Sequence, residues 1–195
     1  MKMMETYYRI LKHDPDGKLV KDSGLISSHS YVIQFLEYLE GSFKVVDKTA
    51  TDVDNAESKI VDKSDAMDAQ GRVDAAVGDD TYGIVVGTNA GTTAEDNENY
   101  ALDTKIVEGV ASGELSYQAV TFVAPRVVGA NIDFDVTRPF LNEHATDTVT
   151  VKEIGIICKN TTDTKYHLLL RDVVADEAVA AGFTLTVVYT LRTTV

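Results

Sequence analysis

Acidic clusters are the most numerous groups in this sequence whose residue types could do chemistry. The chemistry they would support is calcium binding through carboxylate oxygens. The stretch from Asp52 to Asn55 begins like a calcium-binding loop, but Glu57 stands where that loop needs Gly and Lys63 where it needs a bidentate Glu. Asp96 and Glu98, in a later polar segment, are weak candidates for a structural calcium ion. Solvated loop charge is the simpler interpretation of these clusters.

Spacing gives little support to other catalytic or metal-binding chemistry. The four histidines lie far apart in the sequence, without the short spacings of metal ligands. The stretch from Gly83 to Gly91 lacks the Lys of a phosphate-binding loop, and Cys158, the single cysteine, is interpreted as an inert core thiol. A carboxylate pair for glycoside hydrolysis remains an alternative, because the fold rather than the spacing sets such pairs. The residues favour a protein that is not an enzyme and carries no cofactor.

The charge balance bears on the partners of the chain. Its 195 residues include 18 Lys and Arg against 31 Asp and Glu, which gives a formal net charge of -13. Such a field repels phosphate backbones, so we expect no nucleic-acid partner. No apolar run approaches the roughly 20 residues of a membrane helix, and the first residues lack the apolar run of a signal peptide. We expect a protein made in the cytoplasm, with no membrane partner.

The last third of the chain predicts three antiparallel strands, Thr148–Cys158, Lys165–Val174 and Phe183–Thr194. In the last of these, apolar and polar residues alternate, as they do on a strand with one buried face and one wet face. The first strand changes parity near Gly155, which predicts a β-bulge. Short polar turns between the three strands favour an antiparallel meander.

The first third predicts a hairpin followed by one helix. Thr6–Leu11 and Lys18–Ile26 flank a Pro- and Gly-containing turn typical of a hairpin. Ser27–Phe43 follows with helical spacing of apolar residues, and Ser27 or Ser28 is the expected N-cap. Gly41 lies where such a helix would stop. The apolar stripe of this helix comprises Tyr31, Val32, Phe35, Leu36 and Leu39.

These elements predict a mostly β chain built on an antiparallel β-sandwich, either a jelly-roll or an immunoglobulin-like one. Residues 1–45 form the hairpin and the helix, and residues 81–195 form the sandwich, as one continuous domain or as two. Residues 46–80 are acidic, with few large apolar side chains, and are interpreted as an irregular, weakly ordered arm.

A series of short pieces in the second half of the chain carries a resemblance to a known group of proteins. The pieces are, in order, Gly83–Thr88 (GIVVGT), Asn99–Leu102 (NYAL), Gly113–Tyr117 (GELSY), Phe134–Asn142 (FDVTRPFLN), Thr148–Ile156 (TVTVKEIGI), Leu170–Val173 (LRDV) and Ala180–Thr190 (AAGFTLTVVYT). Their layout resembles small virion structural proteins of tailed phages and related viruses. The likeness spans roughly residues 83–194, and Pro139 departs from it. Its motifs are strand and turn patterns rather than catalytic signatures.

The resemblance implies a non-enzymatic building block of a virion, present in many symmetric copies. Its partners would be copies of itself and other virion proteins, in head decoration, neck, tail or fibre attachment. The arm, the polar loop from Thr88 to Tyr100 and the Met1–Glu5 tail are the expected contacts between subunits. The interface candidates within them are Met1, Thr49, Val53, Ile60, Met67, Thr92 and Tyr100.

A carbohydrate- or surface-binding β-sandwich is the alternative function. Such a module needs exposed aromatic rings, and the candidates are Tyr7, Tyr8, Tyr82, Tyr100 and Tyr166. The absence of Trp weakens this alternative. A calcium-dependent hydrolase is the third candidate function.

Overall fold

The computed structural model describes residues 4–28, 30–64, 70–160 and 164–194. The chain is mostly β, as predicted, with one helix among the described residues. Its elements are β1 Glu5–His13, β2 Leu19–Asp22, β3 Ile26–Ser28, α1 Ile33–Lys44, β4 Lys48–Thr51, β5 Glu57–Val61, β6 Gly83–Gly87, β7 Ser116–Tyr117, β8 Thr121–Val128, β9 Asn131–Leu141, β10 Val149–Asn160, β11 Lys165–Val179 and β12 Thr184–Thr194. The helix α1 is too short and not apolar enough to cross a membrane.

The described strands form three antiparallel sheets. The large sheet has seven strands in the order β2-β1-β12-β9-β7, with β3 also pairing with β1 and β8 also pairing with β9. The small sheet has the order β11-β10-β6, and β4 pairs with β5 in a separate hairpin. The predicted β-sandwich class is confirmed, while the finer jelly-roll or immunoglobulin-like subtype stays a prediction.

The last third of the chain joins the two larger sheets. The strands β10 and β11 pair with each other in the small sheet, whereas β12 lies between β1 and β9 in the large sheet. The predicted three-stranded meander is therefore wrong at its last step, because β12 crosses to the other sheet. The predicted bulge in β10 is confirmed by register shifts between Val151 and Glu153 and between Ile156 and Ile157.

The hydrophobic core lies between the large and small sheets. Leu185, Val187 and Tyr189 of β12 are fully buried, as their alternation predicted, and they belong to the same core cluster as Ile84 and Ile154 of the small sheet. Thr186 and Val188, which lie between them, are only partly covered, whereas Thr190 on the same face is buried, contrary to its predicted place on the wet face. This burial of apolar surface is the main favourable term in the stability of the fold.

The helix α1 differs from its prediction at both ends. It begins at Ile33 with Val32 as N-cap, because Ile26–Ser28 instead forms β3 on the edge of β1. It runs past Gly41 to Lys44 and ends at Val45, which has left-handed backbone angles (φ 53°). Gly41 therefore does not stop the helix. It lets β4 and β5 approach, since an added Cβ would lie 2.8 Å from Lys48 Cβ and 2.9 Å from Val61 Cβ.

The prediction of an irregular, weakly ordered arm over residues 46–80 is wrong for residues 48–61, which form two strands, while residues 70–80 contain no helix or strand element. The β4–β5 hairpin packs its Ala50, Ile60 and Val61 side chains into the main core cluster. Its turn is held by Asp52 Oδ1, which accepts hydrogen bonds from Asp54 N (3.1 Å) and Ala56 N (3.0 Å). The stretch that superficially resembles a calcium loop is thus an Asx-type turn.

Candidate functional site

A buried ion pair at the centre of the small sheet organises the polar loop that precedes β7. Glu153 of β10 and Arg171 of β11 lie side by side and fully buried, with Arg171 Nε 2.9 Å from Glu153 Oε2. The Glu153 carboxylate also accepts hydrogen bonds from the backbone N–H groups of Asn89 (3.2 Å), Asp103 (3.0 Å) and Thr104 (2.8 Å). A buried charge needs this degree of pairing to be tolerated. The pair therefore fixes the position of this loop on the small sheet.

The remaining donors of Arg171 hold the same loop from the other side. Its guanidinium donates to the carbonyl oxygens of Thr93 (3.1 Å) and Ala94 (2.9 Å) and to Asn99 Oδ1 (3.0 Å). The loop from residue 88 to residue 104 is therefore hydrogen-bonded to both members of the ion pair, Glu153 and Arg171. Of the two interface candidates it contains, Thr92 is exposed and Tyr100 is half-buried.

The calcium candidates Asp96 and Glu98 lie in this loop, where they form a turn. Asp96 Oδ1 accepts a hydrogen bond from Glu98 N at 2.8 Å, and Asn99 Oδ1 accepts one from Asp96 N at 3.1 Å. Across the described ranges, no group of three or more His, Cys, Asp or Glu side chains is arranged to hold a metal ion. A calcium ion would therefore find no third carboxylate beside Asp96 and Glu98 there.

A second buried arginine, Arg138 of β9, links the large sheet to the chain around β6. It is fully buried, and its guanidinium donates to the backbone oxygens of Gln118 (2.7 Å), Tyr82 (3.0 Å) and Ile84 (3.0 Å). The guanidinium also lies 4.7 Å from the ring centroid of Tyr117. Burial lowers the pKa of Arg138. The sequence held a signal for this role, because Arg138 shares the parity of buried apolar residues on β9.

Asp172 of β11 makes a further polar connection between the sheets. Its Oδ2 accepts hydrogen bonds from Tyr189 Oη (2.9 Å) on β12 and Ser28 Oγ (3.0 Å) on β3. Burial raises the pKa of Asp172, which has only hydroxyl donors as hydrogen-bond partners here. No local sequence pattern indicates this contact, since its three residues lie in three separate elements.

The buried His and Cys residues of the small sheet are core residues. His167 Nε2 lies 3.0 Å from Ser58 Oγ of β5, and burial lowers the pKa of the His167 imidazole. The thiol of Cys158 is buried and free, and burial raises its pKa to about 12. A thiol held in its protonated form is a poor nucleophile, so the interpretation of Cys158 as an inert core residue is confirmed.

The hairpin of β8 and β9 carries an exposed apolar surface. All residues of β8 are exposed except Arg126, which is half-buried. We use the name β8 surface for the exposed apolar side chains Phe122, Val123, Val127, Val128 and Ile132. Val127 is the most open of these, at 76% exposure. The exposure of β8 is not evident from the sequence, because its apolar composition is typical of a buried strand.

The helix α1 carries a second exposed apolar surface. Its buried residues are Gln34 and Gly41, while Leu36, from the predicted core stripe, is 62% exposed. A groove of about 710 Å³ lies along this face, lined mainly by apolar side chains that include Met4 and Tyr31. The predicted stripe is therefore only partly directed at the core.

The other predicted interface residues are dispersed. Thr49 is exposed, Val53 is half-buried and packs against the core, and Ile60 is fully inside it. Ile60 is consequently unsuited to an interface, because the hairpin that carries it is folded onto α1. Met1 and Met67 lie outside the described residues.

The tyrosines considered for sugar binding are mostly covered. The rings of Tyr8 and Tyr82 are buried, and Tyr7, Tyr100 and Tyr166 are half-buried. Tyr82 stacks on Tyr166 with ring centroids 6.3 Å apart, beneath the Lys159 ammonium. These rings stabilise the fold and do not form an open aromatic platform.

Comparison with protein-family models gives no match, and neither the curated proteins nor the solved structures give one. The resemblance to virion proteins stays a prediction from the quoted sequence pieces.

Proposed function

We propose that this chain is a non-catalytic structural subunit of a virion, from a tailed phage or a related virus, that assembles with copies of itself and with other virion proteins. Its place in the particle would be head decoration, neck, tail or fibre attachment. The β8 surface is the single observation that carries the proposal.

An apolar surface of this kind is poorly suited to an isolated chain in water. Five large apolar side chains lie within one strand pair, each more than two-fifths exposed. Contiguous exposed apolar patches on folded proteins mark interaction sites more often than they mark inert surface. Free edge strands are also a liability that a partner removes by covering them. Both properties support a subunit whose surface is completed by assembly.

The polar interior supports the same function. Glu153, Arg171, Arg138 and Asp172 are all buried and hydrogen-bonded to other parts of the fold. Buried polar groups that are fully paired stabilise one defined packing of the core. A repeated building block needs one defined conformation and an uncovered apolar surface. The paired polar interior supports the first, and the β8 surface is the second.

The charge of the chain argues against two other partners. A net charge of -13 disfavours nucleic acid, and it disfavours anionic membrane surfaces for the same electrostatic reason. The alternative of a carbohydrate-binding module gains no support from Tyr8 and Tyr82, whose rings are buried. Assembly with other protein subunits remains the function that the surface supports best.

Particle fractionation tests the virion proposal. Lysates of cells that produce the chain are separated on a density gradient, and the particle band is analysed by quantitative mass spectrometry. The proposal predicts that the chain bands with intact particles in many copies per particle. Recovery of the chain only among free proteins at the top of the gradient would contradict it.

A further inference from the structure

The helix α1 and the β4–β5 hairpin form one packed unit, which lies against β11 of the small sheet. A Cβ added at Gly41 of α1 would lie 2.8 Å from Lys48 Cβ and 2.9 Å from Val61 Cβ of the hairpin. Glu40 of α1 also pairs with Lys48 at 2.8 Å. Among the described strands, β4 and β5 pair only with each other. We use the name α1–hairpin unit for residues 33–61.

His167 of β11 lies at the seam between this unit and the small sheet. Its side chain is completely buried, and its Nε2 lies 3.0 Å from Ser58 Oγ of β5. Beside it, Lys165 Nζ of β11 lies 3.5 Å from the carboxylate of Asp52, which is longer than a good hydrogen bond. The seam therefore depends on side-chain contacts rather than on a strand ladder.

The closed seam provides no partner for a second proton on His167. Among the described residues, Nδ1 of His167 has no hydrogen-bond partner, and neither has Oδ2 of Asp52. The neutral imidazole can keep Nδ1 as an acceptor without a proton, whereas the imidazolium donates from both ring nitrogens. Protonation would therefore leave an unpaired donor on a buried charge, and both are costly in the core.

The groups around His167 do not compensate for this charge. The Asp52 carboxylate attracts a proton to the imidazole, Lys165 opposes it, and burial outweighs both and lowers the pKa of His167. Its register partner on β10, Cys158, is a protonated thiol, and the buried polar residue of α1 is Gln34, which does not titrate. The remaining charged side chains of α1, β4 and β5 are exposed or interact with groups other than His167, namely Glu37, Glu40, Lys44, Lys48, Glu57 and Lys59.

The contacts that hold the two larger sheets together are better satisfied. Arg138 donates from all three guanidinium nitrogens to backbone oxygens. Arg171 likewise donates from all three to Glu153 and to the loop from residue 88 to residue 104. The strands β9 and β12 pair along their length without a register shift. The seam at His167 differs from these contacts in its unpaired buried atoms.

We propose that protonation of His167 opens this seam, so that the α1–hairpin unit moves away from β11 locally while the two larger sheets stay paired. The open state admits water, which supplies the hydrogen-bond partners that the imidazolium lacks in the closed state. It also exposes Ala50, Ile60 and Val61, which the closed unit packs into the core. Acid thereby uncovers an apolar surface that is hidden at neutral pH. The inference concerns the single chain and does not depend on the proposed function.

The opening sets in below roughly pH 6.5, the ordinary pKa of an imidazole in water. Because burial lowers the pKa of His167 in the closed state, the open state binds the proton first as the pH falls. The ratio of open to closed molecules then rises by at most about tenfold for each pH unit. Although burial opposes them, the hydrogen bonds of the turn lower the pKa of Asp52, so this carboxylate stays ionised in the same pH range.

Native-state hydrogen exchange in low concentrations of urea tests the inference, after correction for the pH dependence of intrinsic exchange. At each pH the amides of β4 and β5 exchange faster than those of β9 and β12 and depend less on urea, because only part of the fold opens. Between pH 7.5 and pH 5.5 the protection of the hairpin amides falls several-fold, at most about tenfold.

Three variants assign the effect to His167, each checked for folding by circular dichroism at pH 7.5. His167→Gln removes the titrating group, so the hairpin protection no longer changes between the two pH values. His144→Gln is the matched control, because His144 lies in the loop between β9 and β10, and its hairpin keeps the wild-type pH dependence. Ser58→Ala lowers the protection at pH 7.5 but keeps the pH dependence, since the imidazole remains.

Two results would overturn the inference. In the first, the hairpin amides share the protection and the urea dependence of β9 and β12, which would show that the chain opens only as a whole. In the second, His167→Gln keeps the wild-type pH dependence of the hairpin. Neither result bears on the proposed virion function, which particle fractionation tests separately.

Discussion

At the scale of single residues, the two buried arginines show how this acidic chain handles internal charge. Arg171 meets the carboxylate of Glu153, whereas the hydrogen bonds of Arg138 go to backbone carbonyl oxygens. A buried ion pair adds little net stability, but removal of one partner leaves the other charge uncompensated. Their position in the core therefore makes these residues sensitive to substitution.

Glu153→Gln tests the structural role of the ion pair. The amide keeps the size of the side chain but leaves the Arg171 charge uncompensated, so we expect a loss of about 3 kcal/mol in the free energy of unfolding. Urea unfolding followed by circular dichroism measures it. Asp176→Asn is the matched control, because Asp176 pairs with Lys152 at 3.2 Å on the surface, and we expect little change there. Equal losses in the two variants would contradict the assigned role.

His167 makes stability depend on pH. Burial lowers its pKa in the folded chain, so the unfolded chain binds the proton first as the pH falls. Stability is complete above the unfolded pKa of roughly 6.5 and declines below it, by at most about 1.4 kcal/mol per pH unit for this one group.

The variant His167→Gln isolates this contribution, because Gln can still hydrogen-bond Ser58 but does not titrate. We expect its unfolding free energy to fall less than that of the wild type between pH 6.5 and pH 5. Parallel pH profiles for the two proteins would rule out His167 as the source.

At the scale of elements, the local sequence predicts a strand or helix correctly only where pairing with distant segments does not override the local pattern. The strand β12 was predictable because its two-residue alternation defines a buried face. The alternation of β9 also predicted a strand, but Ile132 on its apolar parity is exposed and Asp133 and Asp135 on the other parity are buried. Ser27 and Ser28 were assigned to the helix because Ser is a good N-cap, yet both pair with β1 as part of β3. Tertiary pairing outweighed local propensity there.

Two other elements could not be predicted from their own residues. The strand β4 reads Lys-Thr-Ala-Thr and buries only Ala50, so its sequence has too little apolar signal to be recognised. The exposure of β8 depends on the position of the small sheet, which no pattern within residues 121–128 encodes. Arg138, in contrast, was predictable as a buried residue from its parity with Val136 and Phe140.

Gly41→Ala tests the contact between α1 and the β4–β5 hairpin. On an isolated helix this change is stabilising by up to about 1 kcal/mol, since Ala is the better helix former. Here the added Cβ meets Lys48 Cβ and Val61 Cβ at under 3 Å, so we expect a net loss of about 1–3 kcal/mol. Thermal unfolding measures it, with Ser42→Ala, one residue further along α1, as the neutral control. A rise in melting temperature for Gly41→Ala would show that the hairpin does not pack closely on α1.

At the scale of the whole molecule, the core is well covered while two outer surfaces are not. The β8 surface and the apolar face of α1 both expose side chains that an isolated chain would be expected to bury. Residues 48–61 are part of the core, so deletion of this segment would unfold the chain rather than report on its assembly. Surface substitutions are the appropriate probes of assembly.

The central claim is that this chain is a subunit of a symmetric assembly. Native mass spectrometry combined with negative-stain imaging of the purified protein, with and without EDTA, tests it most directly. The account predicts a concentration-dependent oligomer with closed symmetry, whose mass is a whole multiple of the chain mass and does not change in EDTA. Loss of the oligomer in EDTA would show that a structural cation supports the assembly. A strict monomer at every concentration, in both conditions, would contradict the account.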